Sequence, residues 1–369
     1  MSARQPLHAG ALLTIDLGAI CDNWRMLKAR LAGAECAAVV KADAYGLGAI
    51  RVAPALYEAG CRHFFVAHVD EAIALRPVLH PDATVYVLHG PLPGAEPEFV
   101  VHDLVPVLNS LPQLAAWREL ACRLDRPLPA IVQIDTGMAR LGFSPPELDA
   151  LAGDRTQLRG IDLRYVMSHL ASAEDQANPA NRAQLERFRA ALARLPATRA
   201  SFANSSGIFL GDAYHFELVR PGAALYGVAP VAGAPNPMRP VIRLRGRVIQ
   251  TRTIEAGTPV GYSHTWTAPR RSRIATVAVG YADGYLRSLG NRGCVQFDHT
   301  PLPVVGNVSM DTILVDVTAL GNNTIHEGSL IDIAGPALGV DDIAGHAGTI
   351  GYEILTSLGN RYARSYLGG

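Results

Sequence analysis

The sequence predicts an α/β protein in two parts: an N-terminal (β/α)8 barrel over residues 11–235 and a mainly antiparallel β domain over residues 236–369. Three observations carry that prediction. Between residues 36 and 220, eight short apolar runs alternate with helical patterns. Each run ends in a polar residue. After Gly227 the texture changes to glycine, proline and short β-rich segments.

In chain order, residues 11–17 read as a strand, and residues 18–31 as a helix with Ile20, Trp24, Leu27 and Leu31 at helical spacing. The eight runs follow at 36–41, 62–68, 84–89, 104–109, 130–135, 163–169, 199–204 and 216–220. Residues 111–123 and 181–195 carry the clearest helical periodicity between them, and 49–59 also shows a helical pattern; the links before the fourth and eighth runs are weakest. Strands that alternate with helices make a parallel sheet, and eight such units favour closure into a barrel over an open sheet. No sequence repeat or low-complexity segment accompanies the alternation.

Lys41, His68, His89, Asn109, Asp135, His169, Asn204 and Arg220 close the eight runs. That is the end where barrel enzymes gather their working groups. A full ring of polar side chains is hard to explain by packing, since apolar groups fill such space at lower cost. Taken singly, His68, His89 and Asn109 are better read as satisfied structural hydrogen bonds.

Pro230, Gly233, Pro235, Pro237 and Pro240 form a breaker-rich linker. Beyond it, residues 241–253, 273–279, 293–297, 302–305, 313–317 and 329–334 read as strands of a separate domain. The segment 1–10 is expected to join that domain, and the first strand, surplus to the barrel's eight, to pair with it.

Composition narrows the function classes. With 369 residues, 49% hydrophobic, the chain can bury two cores. Thirty-three basic residues balance 33 acidic ones, so nothing advertises nucleic acid or an anionic membrane as a partner. Cys21, Cys36, Cys61, Cys122 and Cys294 are odd in number and scattered, which favours reduced thiols in a cytoplasmic protein over disulfides or a zinc site. No metal is expected. The opening residues lack a signal-peptide core, and no stretch approaches a membrane span.

The residue with the sharpest chemistry is Lys41, where the run Ala37-Ala38-Val39-Val40 gives way to a glycine-containing turn. An amine beside a hydrophobic strand loses hydration, which lowers its pKa and suits it to Schiff-base chemistry or general-base work. The blander alternative is a strand-end lysine that reaches water. The longer stretch Val40-Lys41-Ala42-Asp43-Ala44-Tyr45-Gly46-Leu47-Gly48 resembles the cofactor-attachment segment of alanine racemases, pyridoxal 5'-phosphate (PLP) enzymes of fold type III built on a TIM barrel. The resemblance implies that Lys41 carries PLP covalently.

Such a site also needs a phosphate anchor and a partner for the pyridine nitrogen. Phosphate sites in barrels often form in the loops after strands seven and eight, here Asn204-Ser205-Ser206-Gly207 and Arg220-Pro221-Gly222-Ala223. Both loops are small and rich in donors. The family pattern implies that Asn204, Ser205, Gly222 and Ala223 belong to the cofactor site, aided by the phenols of Tyr45 and Tyr352, and that Arg220 faces the pyridine nitrogen. A fixed cation there discourages ring protonation, which favours returning a proton to the same carbon. The segment from Gln133 to Phe143 is similar to another family stretch and places Arg140 near the cofactor ring hydroxyl and the substrate carboxylate. Many members carry a carbamylated lysine where this chain has Gln133, so a neutral amide or a bound anion has to orient Arg140.

Racemisation needs proton transfer on both faces of Cα. The stretch Gly257-Thr258-Pro259-Val260-Gly261-Tyr262-Ser263-His264 resembles the segment bearing the family's catalytic tyrosine, which implies that Tyr262 acts on the L-enantiomer and Lys41 on the D-enantiomer. A tyrosine near its usual pKa of about 10 needs nearby positive charge to serve as a base; the resemblance points to His169 and Arg220. Composition alone reads Tyr262 as a packed strand aromatic. Members of the family pair head-to-tail as homodimers with shared sites, and Gly306-Asn307-Val308-Ser309-Met310-Asp311 looks like the accompanying segment. It implies a backbone amide from Met310 for the substrate carboxylate and a supporting role for Asp311, while Tyr352 narrows the entrance for a methyl side chain. The expected function is interconversion of L- and D-alanine, supplying D-alanine for cell-wall peptidoglycan. The rivals are a broad-specificity amino-acid racemase and a non-catalytic PLP-binding homeostasis protein.

Overall fold

The computed structural model describes residues 7–321 and 324–368, so the part of the expected N-terminal segment before Leu7 lies outside the described residues. The chain divides into two compact units, residues 20–238 and residues 1–19 together with 239–369. The first strand, β1 (Ala11–Asp16), belongs to the second of these. The barrel unit therefore starts at Ile20 rather than at residue 11, because β1 finds its hydrogen-bond partners far along the chain.

The barrel unit contains β2 (Glu35–Cys36), β3 (Ala38–Val39), β4 (His63–Val66), β5 (Thr84–Val87), β6 (Leu104–Leu108), β7 (Leu128–Gln133), β8 (Ile161–Met167), β9 (Arg199–Asn204) and β10 (Leu218–Arg220). All are parallel, and their order runs β2-β10-β9-β8-β7-β6-β5-β4-β3. β2 and β3 are one extended run. Its Glu35, Ala37 and Val39 amides donate to Glu217, Val219 and Pro221, while the Val40 amide donates to the Phe65 carbonyl on the other side. One run thus closes the ring, which makes the eight-stranded barrel the alternation predicts.

The strands are short and apolar throughout, as expected for a sheet covered on both faces. Phe64, Phe65, Val85, Val87, Val107, Ile131, Val166 and Phe202 are fully buried. Helix Leu17–Ala29 starts at the unit boundary and packs on the barrel through Trp24, whose indole N–H donates to the Cys36 carbonyl at 3.3 Å. Helices Ala49–Glu58, Leu111–Arg123 and Pro179–Leu192 lie close to their expected positions. The weak link before β6 is a six-residue helix, Glu96–Val101, and the link before β10 holds only 3-10 turns. At the N-terminal mouth, Glu35 bonds His63 and Arg199, a placement that reads as stability rather than chemistry.

The second unit contains β11 (Ile242–Ile254), β12 (Pro259–Val260), β13 (Trp266–Thr267), β14 (Ser272–Val277), β15 (Cys294–Phe297), β16 (Thr300–Pro303), β17 (Ile313–Asp316), β18 (Leu330–Ala334) and β19 (Ala363–Leu367). β1 lies between β11, antiparallel, and β19, parallel; every other pairing in this unit is antiparallel. Val260, Ile274 and Val305 form a core cluster with Ile254, Trp266 and Leu314 against it. Two features carry no signal in the sequence pattern: the edge strand β19, and helices Val340–Ala347 and Gly351–Thr356, the second of which carries Tyr352.

Leu13 is wholly buried where β1 is clasped on both sides. Leu13→Ala should cost about 3 kcal/mol through lost transfer energy and a residual cavity; chemical denaturation followed by circular dichroism measures it.

Candidate active site

Lys41 emerges from the closing run into a turn that the sequence did not foreshadow. Ala42, Asp43, Ala44 and Tyr45 have φ between +53° and +56°, a full left-handed turn without a glycine. The Lys41 amine is half-buried and its pKa is lowered, first by burial and then by the Arg140 cation, with Glu71 acting in the opposite sense. An amine so placed is neutral at lower pH than a surface lysine, the state in which it can attack a carbonyl or accept a proton.

The left-handed turn brings Tyr45 against the loop after β10. A methyl at Gly222 would lie 2.5 Å from the Tyr45 hydroxyl oxygen, so glycine is what allows the phenol to come close. The Ser205 hydroxyl, buried, accepts from the Gly222 amide at 2.9 Å and the Ala224 amide at 3.3 Å. The intervening Ala223 amide donates to no protein acceptor among the described residues. Asn204 stabilises the same corner through its side-chain oxygen, which accepts from the Gly207 amide at 2.9 Å. Two hydroxyls and the open Ala223 amide make a cradle for a compact anion such as a phosphate monoester.

Arg220 is buried, and its guanidinium donates to the Ser201 hydroxyl at 2.5 Å and the Ser168 carbonyl at 2.7 Å. No carboxylate pairs with it among the described residues, and burial brings its pKa down to about 9. The Arg220 guanidinium also points at His169 Nδ1, 3.4 Å away. Since a guanidinium only donates, Nδ1 must accept and the histidine is neutral. Burial, then Arg220, Arg140 and Lys41, push its pKa to about 3. This corrects one expectation: of the pair proposed to supply positive charge, only Arg220 carries it.

Arg140 is exposed on the loop after β7. That loop is closed by the Asp135 and Phe143 amides and pinned by the Asp135 carboxylate, which accepts from the amides of Gly137, Met138 and Ala139. Gln184, which no sequence motif marks, donates to Thr136 Oγ1 at 3.2 Å and to the His169 carbonyl at 2.9 Å, tying the loops after β7 and β8 together. Gln133 is buried below Arg140's loop, but neither its amide nor the Arg140 guanidinium hydrogen-bonds to a protein atom among the described residues. The Asn109 side-chain nitrogen donates to the Leu88 and Val107 carbonyls, a structural role, while its buried oxygen finds no protein partner among the described residues.

Tyr262, Met310, Asp311 and Tyr352 all lie in the β unit. Tyr262 is 71% exposed in a 3-10 turn, not packed in a strand. Asn307 donates to its carbonyl at 2.8 Å, which joins the Tyr262 turn to the Gly306–Asp311 loop. The Met310 amide is open among the described residues, while its carbonyl accepts from Ala282. Arg361, without a sequence signal of its own, bridges Asp311 at 2.6 Å and Asp283 at 2.7 Å. Met310 is 54% exposed and Tyr352 39%.

A barrel rim that holds one desolvated amine, an anion cradle and a buried guanidinium defines a lysine-dependent protein built for a phosphorylated carbonyl cofactor, and the residues present fit PLP. Comparisons with known proteins narrow that class. The alanine racemase N-terminal domain model matches residues 15–230 and the C-terminal domain model residues 241–366. A Mesorhizobium japonicum protein described as a catabolic alanine racemase is 53% identical, covering 98% of this chain and 94% of the relative. The Brucella canis alanine racemase is 51% identical over 98% of this chain and 94% of its own length. The crystal structure of alanine racemase from Bartonella henselae with covalently bound pyridoxal phosphate superposes with a TM-score of 0.94 at 44% identity, covering 97% of this chain and all of that one. The chain belongs to the alanine racemase family.

Two outcomes follow from this geometry. Gly222→Ala drives a methyl onto the Tyr45 hydroxyl; overpacking of about 1–3 kcal/mol should raise the PLP dissociation constant roughly tenfold or more, read by absorbance titration. His169 stays neutral in the folded chain down to about pH 3, whereas in the unfolded chain it binds a proton near its usual value. The unfolded state thus holds the extra proton between about pH 6.5 and 3, so His169 costs stability as pH falls through that window. Tm measured against pH should decline less steeply in His169→Gln.

Proposed function

We propose that this chain interconverts L-alanine and D-alanine with PLP as cofactor. The observation that supports this best is the meeting of Lys41, the Tyr45–Ser205–Gly222–Ala223 cradle and Arg220 at one barrel rim. When bound, PLP supplies the electron sink that makes the α-proton of an attached amino acid removable. Lys41 would hold the cofactor and move a proton at Cα on one face, acting on the D-enantiomer. Tyr262 serves the opposite face and the L-enantiomer. Arg220, fixed by Ser168 and Ser201, would present a cation to the pyridine nitrogen and discourage its protonation. Neutral His169 lies beside it.

Arg140 and the open Met310 amide bind the substrate carboxylate, Gln133 lies beneath the Arg140 loop, and Asp311 supports the network through Arg361. Tyr352 narrows the entrance to favour a methyl side chain. Tyr262, Met310 and Tyr352 reach a lysine-bearing rim as parts of a partner copy in a head-to-tail homodimer; their exposure supports that arrangement. Among the described residues no helix is long and apolar enough to cross a membrane. We place the protein in the cytoplasm, a reading supported by five free cysteines. D-alanine then feeds peptidoglycan. The Mesorhizobium relative's description favours a second role in alanine breakdown. A D-alanine requirement in a deletion strain supports the first role, and failure to grow on alanine alone the second.

A chiral assay on purified protein with L-alanine and PLP, with Lys41→Ala as control, tests the activity. D-alanine should form only with the intact lysine, and comparable turnover of serine, lysine or arginine would instead mark a broad-specificity racemase. Tyr262→Phe should lower kcat by about 10²–10⁴-fold with the cofactor still bound, and near-normal turnover would sink the role given to Tyr262.

A further inference from the structure

The left-handed turn after Lys41 is disfavoured for every L-residue in it, so something outside the turn must hold it. Its far end is tied locally: the Asp43 side chain accepts from the Ala49 amide at 2.7 Å, and the Asp43 carbonyl from the Gly48 amide at 2.8 Å. Its near end is tied locally too, the Ala44 amide donating to the Val40 carbonyl at 2.8 Å, but the first amide of the turn is met by a residue from another element. Glu71, in helix Val69–Leu75, sends Oε1 to the Ala42 amide at 2.5 Å. Its Oε2 accepts from the Ala67 and His68 amides at 2.8 and 3.0 Å.

Capping its own helix accounts only for Oε2. Oε1 does something else: it reaches 29 residues back to the first amide after Lys41. Both oxygens are engaged by backbone, and no Lys or Arg pairs with the carboxylate among the described residues. Its charge is therefore left to act on its surroundings. We propose that Glu71 is the positioning residue for Lys41: one carboxylate oxygen locks the left-handed turn that aims the amine. The inference rests on Lys41 as the reactive amine of the function proposed above.

The charged and titratable groups around the amine are Arg140 from the loop after β7, Glu71 from the helix after β4, His89 after β5 and His169 after β8, with His68 against His89. Arg140 disfavours the ammonium and Glu71 favours it. Removing Glu71's charge therefore lowers the pH at which Lys41 loses its proton.

The test compares Glu71→Gln, Glu71→Asp and Glu71→Gln/Ala42→Gly in the PLP-loaded full-length protein. In Glu71→Gln an amide group faces backbone N–H donors, so hydrogen-exchange protection of the peptide spanning residues 41–48 should fall about tenfold or more. Racemisation kcat should fall by up to roughly 100-fold, with its acidic limb moved to lower pH. Glu71→Asp keeps the charge and loses the reach; the limb should stay while protection falls. Glycine at residue 42 adopts positive φ without strain, so Ala42→Gly should restore part of both protection and kcat to Glu71→Gln.

Unchanged exchange at 41–48 with an unmoved limb overturns the proposal. So does a lower Tm alone, which would leave Glu71 a helix cap, or failure of Ala42→Gly to rescue. If Glu71→Gln does not fold, exchange in Glu71→Asp with and without Ala42→Gly tests the turn in its place: rescue by glycine supports the lock, and its absence overturns it. Should the wild-type chain racemise nothing, the proposed function fails, and the exchange comparison still decides whether Glu71 holds the turn.

Discussion

The structure of the candidate site depends on one buried cation without a counter-charge. Desolvating a guanidinium is costly unless its donors are met, and Arg220 meets that demand with the Ser168 carbonyl, the Ser201 hydroxyl and, at 3.4 Å, the Phe202 carbonyl. These acceptors sit on β9 and just past the end of β8, one and two strands away from β10, which carries Arg220. The barrel must close in register for them to converge. Once they do, the same cation fixes His169 as a neutral acceptor and contributes to the positive environment at the rim. Polar connections continue outward through Ser168 to Thr136 and Gln184, so the loops after β7 and β8 are tied into one network with the guanidinium.

Lys41 is held by a different device. Four left-handed residues cost about 1–2 kcal/mol each, a strain tolerated only where surrounding bonds over-determine it. The return is positional. The turn swings Tyr45 onto Gly222, where its ring lies tilted against Tyr226 at 4.8 Å between centroids; the Tyr226 hydroxyl in turn donates to the Val39 carbonyl just before Lys41. The amine and the anion cradle are thereby referenced to the same strand. A rigid barrel supplies the frame, and local strain at its rim sets the distances.

The β unit contributes a different kind of surface. Its core is ordinary, but the turn of Tyr262, the Gly306–Asp311 loop and the helix of Tyr352 leave aromatic and thioether groups in the open. Arg361 links Asp283 to Asp311, and Tyr281 and Ala282 donate to Ser309 and Met310, so this exposed loop is braced rather than loose.

The sequence by itself determined the barrel, since eight apolar runs separated by helical patterns have few other ways to bury both faces of a parallel sheet. It determined the identity of Lys41, Arg220, Ser205 and Gly222 as candidate site residues, because strand-end positions and short loop motifs are local and survive as patterns. It placed β1 with the β domain, as a strand surplus to the barrel's eight, but did not determine that its partners there are β11 and β19, or that β19 exists, because pairings across more than 200 residues leave no periodic trace. Glu71, Gln184, Ser168, Ser201 and Arg361 were equally invisible: each acts through a contact with a distant backbone or side chain, and a lone polar residue on a helix or strand reads as ordinary. The left-handed turn is the sharpest case. Nothing in the local sequence of Ala42, Asp43, Ala44 and Tyr45 marks four positive φ angles in a row; local bonds and a contact from Glu71, which only the fold brings to the Ala42 amide, accompany them.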